Sequence, residues 1–318
     1  MSIGWIGPVS AQDASPAGIH TAPPFSGRVV ATGLEWPWEV TWGPDDRLWV
    51  TERAGKRVTR IDPETGAKKV VLTIDEVLVG GQHEGLLGMA LHPDLLQGRG
   101  NDFVYVAYTY DVDPAPGEDR VARRAKLVRL TYDRSSETLG QPSELIAGIP
   151  AGTDHSAGRI KFGLDGMLYY ATGDQGGNWL ANYCHPILAQ VLSSAGEISA
   201  KDWSSYTGKI LRLRPDGGIP ADNPAIAGVR SHIFSYGHRN PQGLVFVPEG
   251  ALYSAEHGEK TDDKINYGWP HVLGFQDDQA YVYGNWSAAR DCANLDFNAF
   301  SFPDAVPQQR EADWSAPN

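Results

Sequence analysis

Four short segments concentrate side chains able to move protons or hold charge. In TDHSAGRIKFGLDG (153–166), His155 follows Asp154, with Arg159 four residues on. Imidazole titrates near neutrality, and an adjacent carboxylate can orient the ring or raise its proton affinity. The pair fits a general base, and it fits a surface-turn histidine as well. In SYGHRNPQG (235–243), His238, Arg239, Asn240 and Gln242 crowd one turn. Arg239 offers a planar fork for carboxylate or carbonyl oxygens, and Asn240 both donates and accepts. SAEHGEKTDDKIN (254–266), running into YGWP, sets Glu256, Asp262 and Asp263 around Gly258. Carboxylates mixed with turn carbonyls suit calcium, which takes roughly six to eight oxygens in loose geometry; a solvated acidic loop reads the same way. In GGQHEGLLGMALHPD (80–94), His83 and Glu84 follow Gln82, but no second histidine stands at ligand spacing, which disfavours a metal there.

A repeated phrase supplies the elements that must position these groups. It reads as an apolar or aromatic residue, a turn with Asp or Glu, then an alternating strand. Copies are WGPDDRLWVTE (42–52), LHPDLLQGRGNDFVYVAY (91–108), FGLDGMLYYAT (162–172) and FVPEGALYSAE (246–256). Pro and Gly supply the turn dihedrals, and the alternation turns one face inward. KRVTRIDPETG, AKLVRLTYDR and GKILRLRPDG follow three of the copies and read as half-exposed outer strands. Uneven spacing between copies favours propeller blades with long loops over a solenoid. The best helical candidate, 181–198, is interrupted by Pro186 and reads as a long loop with a turn or two of helix.

The chain carries 27 Lys and Arg against 39 Asp and Glu, a net charge of -12, so its surface repels polyanions and nucleic acid is not an expected partner. No apolar run is long enough for a membrane span. Cys184 and Cys292 are too few for a disulfide scaffold, and whether they pair stays open. Residues 1–25 read as a clipped secretory signal or as a flexible tail, with export favoured.

GQHEGLLG, DHSAGR, GDQGGNW, YTGKILRL, DGGIPADNP, GHRNPQG and NYGWP, in that order from about Gly33 to about Phe297, resemble the soluble quinoprotein glucose dehydrogenases of the glucose and sorbosone dehydrogenase family. The resemblance implies a six-bladed β-propeller of four-stranded antiparallel blades over residues 26–318. It further implies pyrroloquinoline quinone (PQQ) over the channel mouth, held partly by calcium, and an oxidoreductase that converts an aldose to its lactone and passes electrons to an external acceptor. Carried onto this chain, His155 is the base, and Asp154 is its modulator and a sugar contact. Gln82, Trp179 and Leu180 are further sugar contacts. Arg239 and Asn240 touch the cofactor, Arg239 stabilising the oxygen that turns negative on reduction. Gly258, Glu259, Asp263 and Tyr267 form the calcium loop.

The resemblance also implies a periplasmic or secreted protein that can be a homodimer. Departures are Glu259 at a proline position, Lys264 at an acidic one, which weakens the calcium site by charge, and Trp179 at a polar contact. The family's C-terminal portion is expected to be missing, leaving the propeller incomplete. Two other functions fit the same features: a calcium-dependent propeller lactonase, and a propeller that only binds.

Overall fold

Three copies of the repeated phrase, at 42–52, 162–172 and 246–256, fold into the same tight hairpin, while the copy at 91–108 spans a longer loop closed by the His92 amide on the Phe103 carbonyl. At 42–49, the Gly43 amide donates to the Arg47 carbonyl at 2.8 Å, Asp46 takes φ +55°, and Asp45 accepts from the Trp49 indole at 3.0 Å. At 162–169, Gly163 donates to the Met167 carbonyl at 2.9 Å, Gly166 takes φ +74°, and Asp165 accepts from the Tyr169 hydroxyl at 3.0 Å. The same aspartates hold an arginine two strands along: Asp45 pairs with Arg60, and Asp165 with Arg212 at 2.9 Å. A turn residue is thereby tied to the body of its own sheet, and a buried guanidinium is neutralised.

The computed structural model describes residues 26–113, 121–178, 182–258, 269–272, 280–298 and 300–315. The first sheet runs β1 (Pro37–Trp42), β2 (Leu48–Glu52), β3 (Arg57–Ile61) and β4 (Lys68–Thr73) in order. A second runs β5 (Leu86–Leu91), β6 (Phe103–Asp111), β7 (Arg123–Asp133) and β8 (Thr138–Pro150). In the third, β9 (Ile160–Phe162), β10 (Leu168–Thr172) and β11 (Lys209–Leu213) are followed by the small hairpin β12 (Ala225–Ile226) and β13 (Val229–Arg230), and β14 (Ile233–Tyr236) closes the sheet. Two-stranded pairs complete the set: β15 (Pro241–Phe246) with β16 (Leu252–Glu256), and β17 (Val282–Gly284) with β18 (Gln308–Arg310). All pairings within these sheets are antiparallel.

First strands pack on one another, β1 on β5, β5 on β9 and β9 on β15, so the sheets stand around a shared axis as propeller blades do. Apolar cores fill the gaps between blades. Trp49, Leu86, Val104 and Tyr132 lie between the first and second sheets, and Tyr105, Leu127, Ile160, Tyr170 and Leu211 between the second and third. Strands clamped on both faces are buried along their length: every residue of β10 and of β11 is buried. This corrects the reading of KRVTRI, AKLVRL and GKILRL as half-exposed outer strands. They are third strands, and β4, β8 and β14 lie outside them. Basic residues at alternate positions are buried there because carboxylates, hydroxyls or carbonyls meet them.

Among the described residues of the long loop after β10, the one α-helix is short, α1 (Ala195–Ala200), started by a capping box in which Ser194 and Glu197 satisfy each other's backbone amides at 3.2 and 2.6 Å. Cys184 and Cys292 form a disulfide across 108 residues, joining this loop to the segment after β17.

Candidate active site

Antiparallel blades send the segment before each first strand and the segment after each second strand to one end. The chemistry-bearing segments occupy those slots: 80–85 before β5, 151–159 before β9, 173–178 after β10, 237–240 before β15, and 257–258 after β16. Topology alone therefore gathers residues that are far apart in sequence.

His155 is buried at 5% exposure and sits in the left-handed region at φ +46°, a conformation that a non-glycine residue holds only when its surroundings fix it. Its carbonyl presses so close to Gly173 that a Cβ there would lie 1.7 Å from the oxygen. Position 173 therefore admits only glycine without displacing the His155 backbone.

The ring is held by a carboxylate that the sequence reading assigned no role. Asp174 Oδ1 lies 2.6 Å from His155 Nδ1 and accepts the Gly176 amide at 2.9 Å. Its Oδ2 accepts from the Trp269 indole at 2.6 Å. With Asp174 fully buried and acting as acceptor, Nδ1 carries the ring proton and Nε2 is left as the basic atom. Asp154, the expected modulator, lies farther away: its Oδ2 is 3.7 Å from Nε2, while its Oδ1 accepts the His155 amide at 2.9 Å. Burial raises the Asp154 pKa, but the hydrogen bond from His83 and the nearby His155 and His83 outweigh it and hold the carboxyl well below the usual range.

Loop 80–85 docks on this segment, with the His83 amide donating to the Thr153 carbonyl at 3.2 Å. Gln82 is exposed on the same loop, whose shape is held by Arg53 bound to the carbonyls of Gly81, Gln82 and Glu84. Glu84 is buried and pairs with Arg123 at 2.5 Å, so it serves structure.

On the opposite wall, Arg239 is buried, with its guanidinium 5.3 Å from the centre of the Trp269 ring and Nη1 donating to the His257 carbonyl at 3.3 Å. Its Nε has no partner among the described residues, and neither has Asn240 Nδ2, whose Oδ1 accepts the Ala157 amide at 3.0 Å. Buried donors without acceptors are costly, and a ligand oxygen at this place would satisfy both. His155, Arg239, Trp269, Asn178 and Trp286 line a common cleft. Aromatic faces, a fixed cation and spare amide donors suit a flat, anionic, carbonyl-bearing cofactor.

Other polar groups of the same segments serve structure. His238 sits between Glu256 at 2.5 Å and Ser235 at 2.7 Å, and Glu256 Oε2 accepts the Arg239 amide at 2.9 Å. Both oxygens of Glu256 are thus engaged. Arg159 spans Glu39 of β1 and the Gln242 carbonyl of β15, joining inner strands. Of the expected calcium loop only Gly258 is described; Glu259, Asp263 and Tyr267, with Asp262 and Lys264, lie outside the described residues, as do the expected sugar contacts Trp179 and Leu180. Among the described residues, no three His, Cys, Asp or Glu side chains are placed to hold a metal ion.

Beyond Asp174, two site residues escaped the sequence reading. Asn178 fastens the cleft wall through Nδ2 to the Gly284 carbonyl at 2.6 Å and Oδ1 to the Trp286 amide at 2.7 Å. Trp269 was noticed only as part of a sequence motif. The available signal was an Asp and an Asn in a glycine-rich turn directly after a buried strand.

The chain is similar to known proteins in sequence and fold. The chain is 40% identical over 305 residues to quinoprotein glucose dehydrogenase B of Acinetobacter calcoaceticus, covering 92% of this chain and 63% of that one. It is 30% identical over 258 residues to an aldose sugar dehydrogenase of Escherichia coli, covering 76% and 61%. The chain thus spans about three fifths of the length of these curated relatives. Among solved structures, the PQQ-bound aldose sugar dehydrogenase of Streptomyces coelicolor superposes with a TM-score of 0.60 at 35% identity, covering 80% of this chain and 70% of that one. The sheets accordingly belong to the six-bladed propeller class. With the glucose/sorbosone dehydrogenase profile matching residues 34–292, the chain belongs to the glucose/sorbosone dehydrogenase family.

Proposed function

We propose that this chain carries the base and part of the cofactor cradle of a PQQ-dependent dehydrogenase that oxidises glucose or a similar aldose at its anomeric carbon. The observation that carries the reading is the fixed ring of His155, with Nδ1 engaged by Asp174 at 2.6 Å and Nε2 basic. When bound, PQQ supplies the electrophilic carbonyl that accepts the anomeric hydrogen as hydride. His155 Nε2 takes the proton of the anomeric hydroxyl, so that two electrons and one proton leave with the hydride, a second proton goes to the ring, and a lactone remains. Asp174 keeps the ring oriented and stabilises the imidazolium as it forms. Asp154, Gln82, Trp179 and Leu180 are proposed to hold the sugar. Arg239 Nε and Asn240 Nδ2 are the unpaired donors proposed to meet cofactor oxygens, Arg239 favouring the negative charge that grows there. Calcium is proposed at the carbonyls from Gly258 onward, with Glu259, Asp263 and Tyr267. An external acceptor would receive the electrons. The disulfide between Cys184 and Cys292 supports an oxidising compartment, periplasmic or extracellular.

The test is a titration of PQQ into calcium-loaded protein followed by absorbance, then dye reduction with glucose. A saturable spectral change and sugar-dependent reduction are expected. No spectral change, or lactone hydrolysis without quinone, would overturn the reading.

A further inference from the structure

The segment before β5 brings a second imidazole to the base. His83 Nδ1 lies 2.9 Å from Asp154 Oδ1 and 2.9 Å from the amide nitrogen of His155. The two rings stack with centroids 6.1 Å apart and planes 25° apart. Asp154 therefore stands between two imidazoles, with one oxygen on His83 and the other toward His155 Nε2. The His155 N–H has two acceptors within reach, His83 Nδ1 and Asp154 Oδ1, and only one proton to give.

We propose that His83 is a positioning residue that shares Asp154 with His155, so that the two imidazoles titrate as a coupled pair and His83 sets the acid edge of the base. Neutral His83 accepts the His155 amide through Nδ1 and leaves Asp154 to favour a proton on His155. Protonated His83 donates Nδ1–H to Asp154 Oδ1, consumes that charge and places a cation 6.1 Å from the His155 ring. The His155 amide then turns to Asp154 Oδ1 alone. Both effects lower the proton affinity of Nε2, so the pair loses its protons in two macroscopic steps that belong to neither residue alone.

Among the described residues, the other charged or titratable groups facing the pair have partners of their own. Asp174 holds the far side of His155. His257 stacks on His83 with centroids 6.2 Å apart, and its carbonyl takes Arg239. Glu84 is committed to Arg123, and Arg53 to the carbonyls of the loop. Among the described residues, Asp154 is the one carboxylate touching both rings.

The consequence for turnover rests on the reading of His155 as base, but the coupling is measurable without cofactor or sugar. The experiment is an NMR titration of the imidazole resonances from about pH 4.5 to pH 9, in the parent chain and in His83→Asn, whose amide oxygen still accepts the His155 amide and does not titrate. In the parent, the His155 resonances should follow a shallow or two-step curve. In His83→Asn they should follow one step, with the midpoint raised by about 0.5 to 2 units, the Coulomb effect of a charge at this separation for an effective dielectric of roughly 80 to 20. A His155 curve that is single-step in the parent and unmoved in the variant overturns the proposal. If His83→Asn does not fold, the parent curve decides alone: one simple step with a slope of one sinks the coupling. Dye-reduction pH profiles separate the two ideas. Coupling without turnover refutes the proposed function and leaves the pair standing, whereas turnover with an unaltered acid limb in a folded variant refutes the role given to His83.

Discussion

Replacing Asp174 by Asn tests the base at its anchor. Three donors converge on this buried carboxylate: His155 Nδ1 at 2.6 Å, the Gly176 amide at 2.9 Å and the Trp269 indole at 2.6 Å. An amide presents one acceptor and one donor end. With its oxygen toward Trp269, the NH₂ faces His155 and can donate to a deprotonated Nδ1, leaving the Gly176 amide unmet. Reversed, the NH₂ meets the indole N–H at 2.6 Å and neither finds an acceptor. The first arrangement strands fewer donors and moves the ring proton to Nε2, the atom that must accept one. Losing a charge-assisted hydrogen bond costs about 1.5–3 kcal/mol, or roughly 10- to 150-fold in rate. The inverted tautomer adds to this, for an expected fall of about 100- to 10,000-fold in kcat with KM much less changed. The assay pairs ring ¹⁵N shifts, which report the tautomer, with sugar-dependent dye reduction by the PQQ-loaded protein. A folded variant that keeps Nδ1–H and turns over within about threefold of the parent would refute the assignment of Asp174 as the orienting group.

Three further outcomes follow from Lys209 and the disulfide. Lys209 is buried without a carboxylate, its ammonium donating to the carbonyls of Leu188, Ala189 and Thr207 at 3.1, 2.8 and 2.7 Å, and burial pushes its pKa down to about 7. Between that value and its unfolded pKa near 10.4 the unfolded chain binds a proton that the folded one lacks. Stability should therefore rise with pH across this window, by at most about 1.4 kcal/mol per pH unit, and be lost again as pH falls toward 7. Denaturant midpoints of the parent and of Lys209→Met should diverge with pH, and parallel profiles would contradict this. At about pH 7 Lys209→Met should be less stable by about 1–3 kcal/mol, because the carbonyls of Leu188, Ala189 and Thr207 lose their donor, and the deficit should widen as pH rises. The disulfide closes a loop of 108 residues, so the Cys184→Ser, Cys292→Ser double variant should lose about 3–5 kcal/mol of unfolding free energy. An unchanged midpoint would show that the aromatic contacts of Tyr183 with Trp286 and Phe297 hold this segment unaided.

The blade hairpins were legible from local chemistry. Asp45 and Asp165 act within a few residues of their own turns, and the Pro, Gly and alternation that mark them need no distant partner. His155, Arg239 and Asn240 stood out by residue type and order, and the structure brings them to one cleft or its rim. The third strands were misjudged because alternating Arg and Lys reads as one solvated face, whereas a blade stacked between two others buries both faces and supplies Asp45 and Asp165 as counter-charges. The partners of Glu256 were hidden for a similar reason. A carboxylate near a glycine turn carries no local sign that His238 and the Arg239 amide, 18 and 17 residues away, already occupy it.

By itself, the sequence determined the class of fold, the family and the acidic net charge, and it singled out His155 as the candidate base, because turn chemistry, strand period and residue order are properties of short segments. Only the tertiary structure decided which carboxylate holds His155. Asp154 is adjacent in the chain, yet the backbone at φ +46° turns Nδ1 to Asp174, 19 residues on, and Trp269 closes the other side of that carboxylate. Ring orientation, burial and the tautomer they impose are set by loops of separate blades meeting at one end of the sheets, and no local pattern encodes that meeting.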